Sequence, residues 1–235
     1  MTDSGVILAR LIELSTRNVN DGPLPFRLGV ACRELLAADG VSITFVDGSA
    51  GPITLAATDE IAARLADLED VTGEGPALAA FRSGTQVVAW LGETPAERWP
   101  EFTRAAVDAV GTVTIRAVPI WPAGQQFGVI TTYVVDGREL AQDADSSRFL
   151  ADAVGAALLQ DAPDRLLIGR QDSWLSRAQI HQATGMIIAQ LGVPAEDALA
   201  LLRAHAYAHD QPLSEVAELI VSRRLHFGRT DHEGS

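Results

Sequence analysis

The sequence predicts an α+β domain, an antiparallel sheet flanked by helices, followed by an all-α three-helix bundle with an extended first helix. Three observations carry this. At 235 residues the chain exceeds one typical domain and falls short of two large ones, so one large unit and one small one divide it naturally. β-rich runs alternate with helical spacing through the first part, and no strand signal follows residue 163. Charge divides at the same place: residues 1–162 hold 11 arginines against 22 acids, net −11, whereas residues 163–235 hold 7 against 9, net −2. All five histidines also lie after residue 180. The expected domains are 1–162 for the α+β domain, 163–178 for a connecting helix that can act as a dimer stem, 179–227 for the bundle and 228–235 for a flexible tail.

In the first domain, residues 24–38 carry Leu28, Cys32, Leu35 and Leu36 at helical intervals. VSITFVDGSAGPITLAAT then gives two strands around the Asp47-Gly48 turn. DEIAARLADLED reads as a helix capped by Asp59 and ending before Gly73 to Pro76, and PALAAFRSG as a second helix ending at Gly84. TQVVAW is a strand. A loop with Trp99 and Pro100 leads into a helix from Phe102 to Val110. Thr112 to Ile120 and Phe127 to Val135 are expected as central strands, joined around Pro122-Ala123-Gly124. Arg148 to Gln160 closes the domain as an alanine-rich helix.

In the second part, residues 164–191 can run as one helix, Pro194 sits where a first turn tolerates proline, and Pro212 starts a third helix. Spacing assigns core faces of Ile180, Ala183, Ile187 and Leu191, then Ala198, Leu201, Leu202 and His205, then Leu213, Val216, Ala217, Ile220 and Val221. The extension of the first helix carries Leu166, Leu167, Ile168, Trp174 and Leu175, an apolar stripe that needs cover. A second copy of the chain can supply it, and so can the chain's own first domain.

Composition narrows the chemistry. All 18 basic residues are arginine, which removes lysine Schiff bases and a P-loop lysine while leaving bidentate phosphate pairing open. One cysteine, Cys32, permits no internal disulfide and fits a reducing, cytoplasmic setting. Residues 1–17 carry Asp3, Arg10 and Glu13 and lack the unbroken apolar run of a signal peptide or membrane span. With no histidine in residues 1–162, the usual bases and nucleophile pairs are missing there, so no enzymatic activity, cofactor or metal is expected. Asp143 and Asp145 fall in what reads as a helix-capping loop.

Arg177 to Ile188, with the pattern R-x-x-I-x-Q-A-T-G-M-I-I, then Ala198 to Ala206 and Pro212 to Val221, resembles the ANTAR domain, a three-helix RNA-binding module of bacterial transcription antiterminators. Gly73 to Ala77 (GEGPA), Arg98 to Phe102 (RWPEF), Arg116 to Ile120 (RAVPI) and Phe127 to Ile130 (FGVI) resemble the GAF sensory domain found ahead of ANTAR in actinobacterial regulators. The implied architecture is an α+β GAF-like sensory domain followed by an ANTAR-like bundle. The implied function is signal-responsive antitermination, with paired ANTAR modules of a homodimer binding two-loop RNA hairpins in transcript leaders. Thr184 stands where many relatives have lysine, and Ala77 where many GAF domains have cysteine.

The resemblance implies RNA contact by Gln182, Gly185 and Arg203, with Arg177, Arg223 and Arg224 as phosphate-binding candidates. Each also has a plainer reading. Gly185, which costs a helix about 1 kcal/mol relative to alanine, can serve close helix packing instead. Ala183 reads as core, and the arginines can be ordinary surface charge. His205 and His209 are four apart, a zinc spacing without further ligands, so His205 is expected partly buried and His209 solvated. Phe81, Trp90, Phe102 and Trp121 could line a pocket for an unknown small ligand, or be core aromatics. The competing function is a dimeric sensor whose C-terminal helices bind a protein rather than RNA.

Overall fold

The computed structural model describes residues 4–17, 22–47, 51–92, 98–135, 143–160, 179–180 and 182–227. Two compact units divide the chain, Met1–Gln171 and Asp172–Ser235. The expected connecting helix at 163–178, with its apolar stripe, and the expected tail at 228–235 lie outside the described residues.

The first unit contains α1 (Ser4–Arg17), α2 (Leu24–Leu35), β1 (Gly40–Asp47), β2 (Gly51–Ala57), α3 (Glu60–Thr72), α4 (Pro76–Ser83), β3 (Val87–Leu91), α5 (Pro100–Val110), β4 (Val113–Ile120), a 3₁₀ turn (Pro122–Gly124), β5 (Gly128–Val135) and α6 (Ala144–Gln160). The five strands form one sheet in the order β2-β1-β5-β4-β3, and all neighbours are antiparallel. This is the expected α+β class, and both strands expected as central are interior to the sheet.

Strand alternation assigns the two faces. Val41, Ile43, Val118, Ile120 and Ile130 pack against α1, α2 and α6, in a cluster that encloses Cys32 completely. Burial pushes the Cys32 thiol up to about 12. On the opposite face, Val113, Ile115, Ala117, Val129 and Tyr133 pack against α3, α4 and α5. The sequence reading gave α1 no place in the fold. Ile7, Leu11 and Ser15, at successive four-residue steps, are its buried face, and it packs on α2 and α6.

Helix ends follow local chemistry. The Asp59 side chain accepts from Ala62 N at 2.9 Å and caps α3, as the sequence indicated, and Gly84 ends α4 in the left-handed region. α5 starts two residues before its expected position, behind Trp99. α6 starts at Ala144, four residues early, because the Asp143 side chain accepts from Ser146 N at 2.7 Å.

In the second unit residues 182–191 form α7, followed by α8 (Ala195–Ala208) and α9 (Leu213–Val221). Their fully buried residues are Ala183, Ile187, Ala198, Leu202, Ala206, Val216, Ala217 and Ile220. Of the expected core positions, Ile180, Leu191, Leu201, His205 and Val221 are only partly buried, at the margins of these faces. Among the described residues no helix is long and apolar enough to cross a membrane, and no group of three or more side chains is placed to hold a metal.

Candidate functional site

Two surfaces merit description, one in each unit. The first is a cavity of about 450 Å³, open mouth included, between the sheet and α3 and α4. Its floor follows from register. Ser42 lies opposite Thr131 and Thr44 opposite Val129 across β1 and β5, while Thr44 also pairs with Thr54 on β2. Period-two alternation therefore puts four hydroxyl side chains on one face of three adjacent strands. The Thr131 hydroxyl is buried with no hydrogen-bond partner. Leu65, Leu78 and Phe81 form apolar walls, and Glu69 and Asp70 contribute acids.

Glu69 ties this cavity to the loop Gly73 to Pro76. Its carboxylate oxygens accept from Ala77 N and Leu78 N, both at 3.0 Å, so the first turn of α4 is capped by a residue of α3. Burial pushes the Glu69 carboxyl up to about 8, against the opposing pull of those two amides. Gly75 has φ +148°, and a Cβ there would come within 2.4 Å of Glu69 Cγ. Glu74 reaches the other way: its Oε1 accepts from Glu101 N at 2.8 Å and Phe102 N at 3.1 Å, capping α5. The GEGP and RWPEF motifs are thus one joint holding three helices. Spacing along the chain could not show that pairing, because the two partners lie 27 and 28 residues apart.

Of the four aromatics suggested as pocket lining, the structure brings only Phe81 to this cavity. Phe102 is fully buried in the core beneath α5. Trp90 pairs with Thr114 on the opposite face of edge strand β3 and is 58% exposed, its ring lying over Gly92. Trp121 follows β4, where its backbone N donates to Asp152 at 2.8 Å and its ring lies against Gly84. The strand hydroxyls and Glu69 replace them. The hydroxyl residues at alternate positions of VSIT, Ser42 and Thr44, are the available signal, but a period-two polar face reads equally as a solvated one.

The second surface is helical. Gln182 and Gly185 are exposed and three apart on α7, hence on one face. Among the described residues, a Cβ built on Gly185 would meet nothing within 4 Å, so packing against them does not explain this glycine. Ala183 is fully buried, as its core reading required. Thr184 turns its hydroxyl back to Ile180 O at 2.7 Å. Arg203 on α8 is partly buried, one residue after the fully buried Leu202. Arg223, at φ +60°, lies in the turn that ends α9. Arg224 Nε donates to Ser222 Oγ at 3.1 Å, and its guanidinium is 3.8 Å from Glu218, so part of its charge is matched. Arg177 lies outside the described residues. His205 and His209 stack with ring centroids 4.0 Å apart, and Phe227 meets His205 edge-on. Burial, then the neighbouring His209, lowers the His205 pKa.

Comparison with known proteins bears on both units. No curated protein matches the chain. Solved structures similar to it include the A. aeolicus nlh2 GAF domain in an inactive state, at 12% identity and TM-score 0.47, covering 67% of this chain and 96% of that one. Another is the GAF domain of a phosphoenolpyruvate-protein phosphotransferase from Coxiella burnetii, at 16% identity and TM-score 0.42, covering 68% and 99%. An RNA-binding light-oxygen-voltage receptor is similar at 17% identity and TM-score 0.24, over 79% of this chain and 47% of that one. Residues 171–221, which include α7, α8 and α9, match the family model of the ANTAR domain.

Proposed function

We propose that this chain is a signal-responsive regulator of the actinobacterial GAF and ANTAR type, in which the first unit senses a signal and the second binds RNA in transcription antitermination. The observation that carries the reading is the ANTAR match over residues 171–221, on which Gly185 stands as an open glycine inside a helix. A solvent-open helix gains from alanine, so glycine at this position suits the close approach of a group other than the described residues. Unpaired bases and loop backbone are such approaching groups, and RNA loops are commonly read by arginine and amide side chains. Gln182 is assigned to a base edge and Arg203 to phosphate or a stacked base. Arg177, Arg223 and Arg224 add backbone clamping. Two modules joined in a homodimer engage two loops at once, and effective concentration multiplies a weak single contact. The regulator acts in the cytoplasm and without catalysis.

The test is a mobility shift of the intact protein with two-loop hairpins from transcript leaders. Arg203→Ala is expected to weaken binding by about 1–2 kcal/mol and to reduce the salt slope by about one. Gln182→Ala is expected to weaken it while leaving the salt slope unchanged. Unaltered affinity in both variants removes the assigned face. Thr184 in place of a lysine and the pairing of Arg224 with Glu218 lower the positive charge of this surface, which favours a protein partner as the second reading. Failure of the intact protein to bind any hairpin selects that reading.

A further inference from the structure

We infer that the rings of His205, His209, His226 and Phe227 form a stacking platform for an unpaired base, a further point of contact for the RNA assigned to the Gln182 face. The inference deepens the RNA reading proposed above and rests on it. The platform begins with the way α9 ends. Arg223 adopts φ +60°, its N donates to Ile220 O and Arg224 N donates to Leu219 O, a left-handed stop that turns the chain back. Residues 225–227 then return to α7, where Phe227 N donates to Gln190 Oε1 at 3.0 Å and Gln190 Nε2 lies 3.4 Å from His226 Nδ1. The Phe227 ring meets His205 edge-on, with centroids 5.4 Å apart. His209 stacks on His205 at 4.0 Å with planes 20° from parallel, and its Nδ1 donates to His205 O at 2.9 Å, which fixes the plane of the ring.

α7, α8 and the segment after α9 thus orient four rings, yet His209 and His226 are exposed and His205 and Phe227 are only partly buried. A core cluster buries its rings, and a solvated chain end leaves them loose; this cluster does neither. A ring held by its neighbour on one face and by a hydrogen bond at its edge has little rotational freedom left to lose, which is what a stacking partner gains from. Unpaired RNA bases stack on histidine and phenylalanine rings, whatever their sequence, because every base has a π face. The location fits as well. Gln182 and Gln190 lie eight residues apart on α7, about 12 Å along its axis, so one RNA loop can reach from the Gln182 face to the rings. Arg223 and Arg224, assigned to phosphate, immediately precede the ring segment and place charge beside the stacked base. His226 and Phe227 lie past residue 221, where the ANTAR match ends, so this half of the platform belongs to this chain's own tail rather than to the matched module.

The full chain is titrated at pH 8, above the ordinary histidine range, with two-loop hairpins from transcript leaders carrying 2-aminopurine at one loop purine at a time. Fluorescence then reads stacking while the mobility shift reads affinity. The wild-type protein is expected to quench one labelled position at least about twofold. His209→Ala is expected to lose that quenching and to weaken affinity roughly fivefold or more with an unchanged salt slope, because stacking releases no counterions. His209→Phe keeps a ring without an ionisable nitrogen and is expected to restore both to within about twofold of wild type. His209 is exposed at the end of α8, so both variants should keep the fold, which a thermal melt checks. Full affinity in His209→Ala, or no quenching at any label with the wild-type protein, overturns the platform and leaves the Gln182 and Arg203 assignment standing. A phenylalanine variant as weak as the alanine one also overturns it, since a ring nitrogen then makes the contact. Failure of the intact protein to shift any hairpin removes the RNA reading and the platform with it.

Discussion

Two glycines put opposite demands on their sites. At Gly75, φ +148° and the 2.4 Å approach to Glu69 leave no room for a side chain, and Gly75→Ala is expected to cost ~2–4 kcal/mol in urea unfolding. Gly185→Ala is expected to stabilise the helix by about 0.5–1 kcal/mol while weakening RNA binding. A variant with both a higher melting temperature and full affinity would remove Gly185 from the interface. Glu69 gives a pH signature. Its folded pKa of about 8 lies above the ordinary 4.5, so the unfolded chain ionises first as pH rises. The associated stability is present below pH 4.5 and is lost progressively until about 8. The difference between wild-type and Glu69→Gln unfolding curves, followed across that window, isolates this group from the opposite trend of His205.

At the scale of elements, the sequence announced most of the fold through periodicity and caps. Asp59, Gly84 and Pro212 mark helix ends by chemistry confined to one turn, and the β-rich runs at β4 and β5, buried on both faces, mark the interior strands. What escaped was long-range. α1 has a short buried stripe whose meaning depends on α2 and α6 being present. The cavity depends on which strands become neighbours, and the aromatics were poor guides because large rings serve the core wherever it lies. The Glu74 link is similarly non-local, and it is open to test. Glu74→Ala is expected to remove the cap of α5 and destabilise the first unit by about 1–2 kcal/mol, measured by chemical denaturation. A loss no greater than a few tenths would mean that water substitutes for the carboxylate.

Over the whole molecule, the net charge of −13 is concentrated in the first domain, and that acidic half disfavours indiscriminate contact with nucleic acid. On the proposed reading, recognition falls to a small arginine and histidine surface. Histidine side chains gain charge in mild acid, His205 later than usual because burial lowers its pKa, so hairpin affinity is expected to rise from about pH 7.5 to about pH 5.5 and to fall with salt. A flat affinity profile across that range would exclude the histidines from the electrostatics of binding. The enclosed thiol of Cys32 has a further use. In a chain without lysine, amine-directed reagents find no side chain, and maleimides reach the one sulfur only when the layer of α1, α2 and α6 parts from the sheet. The rate of that alkylation is a built-in clock for opening of the sensory unit, and a ligand that closes the first unit should slow it.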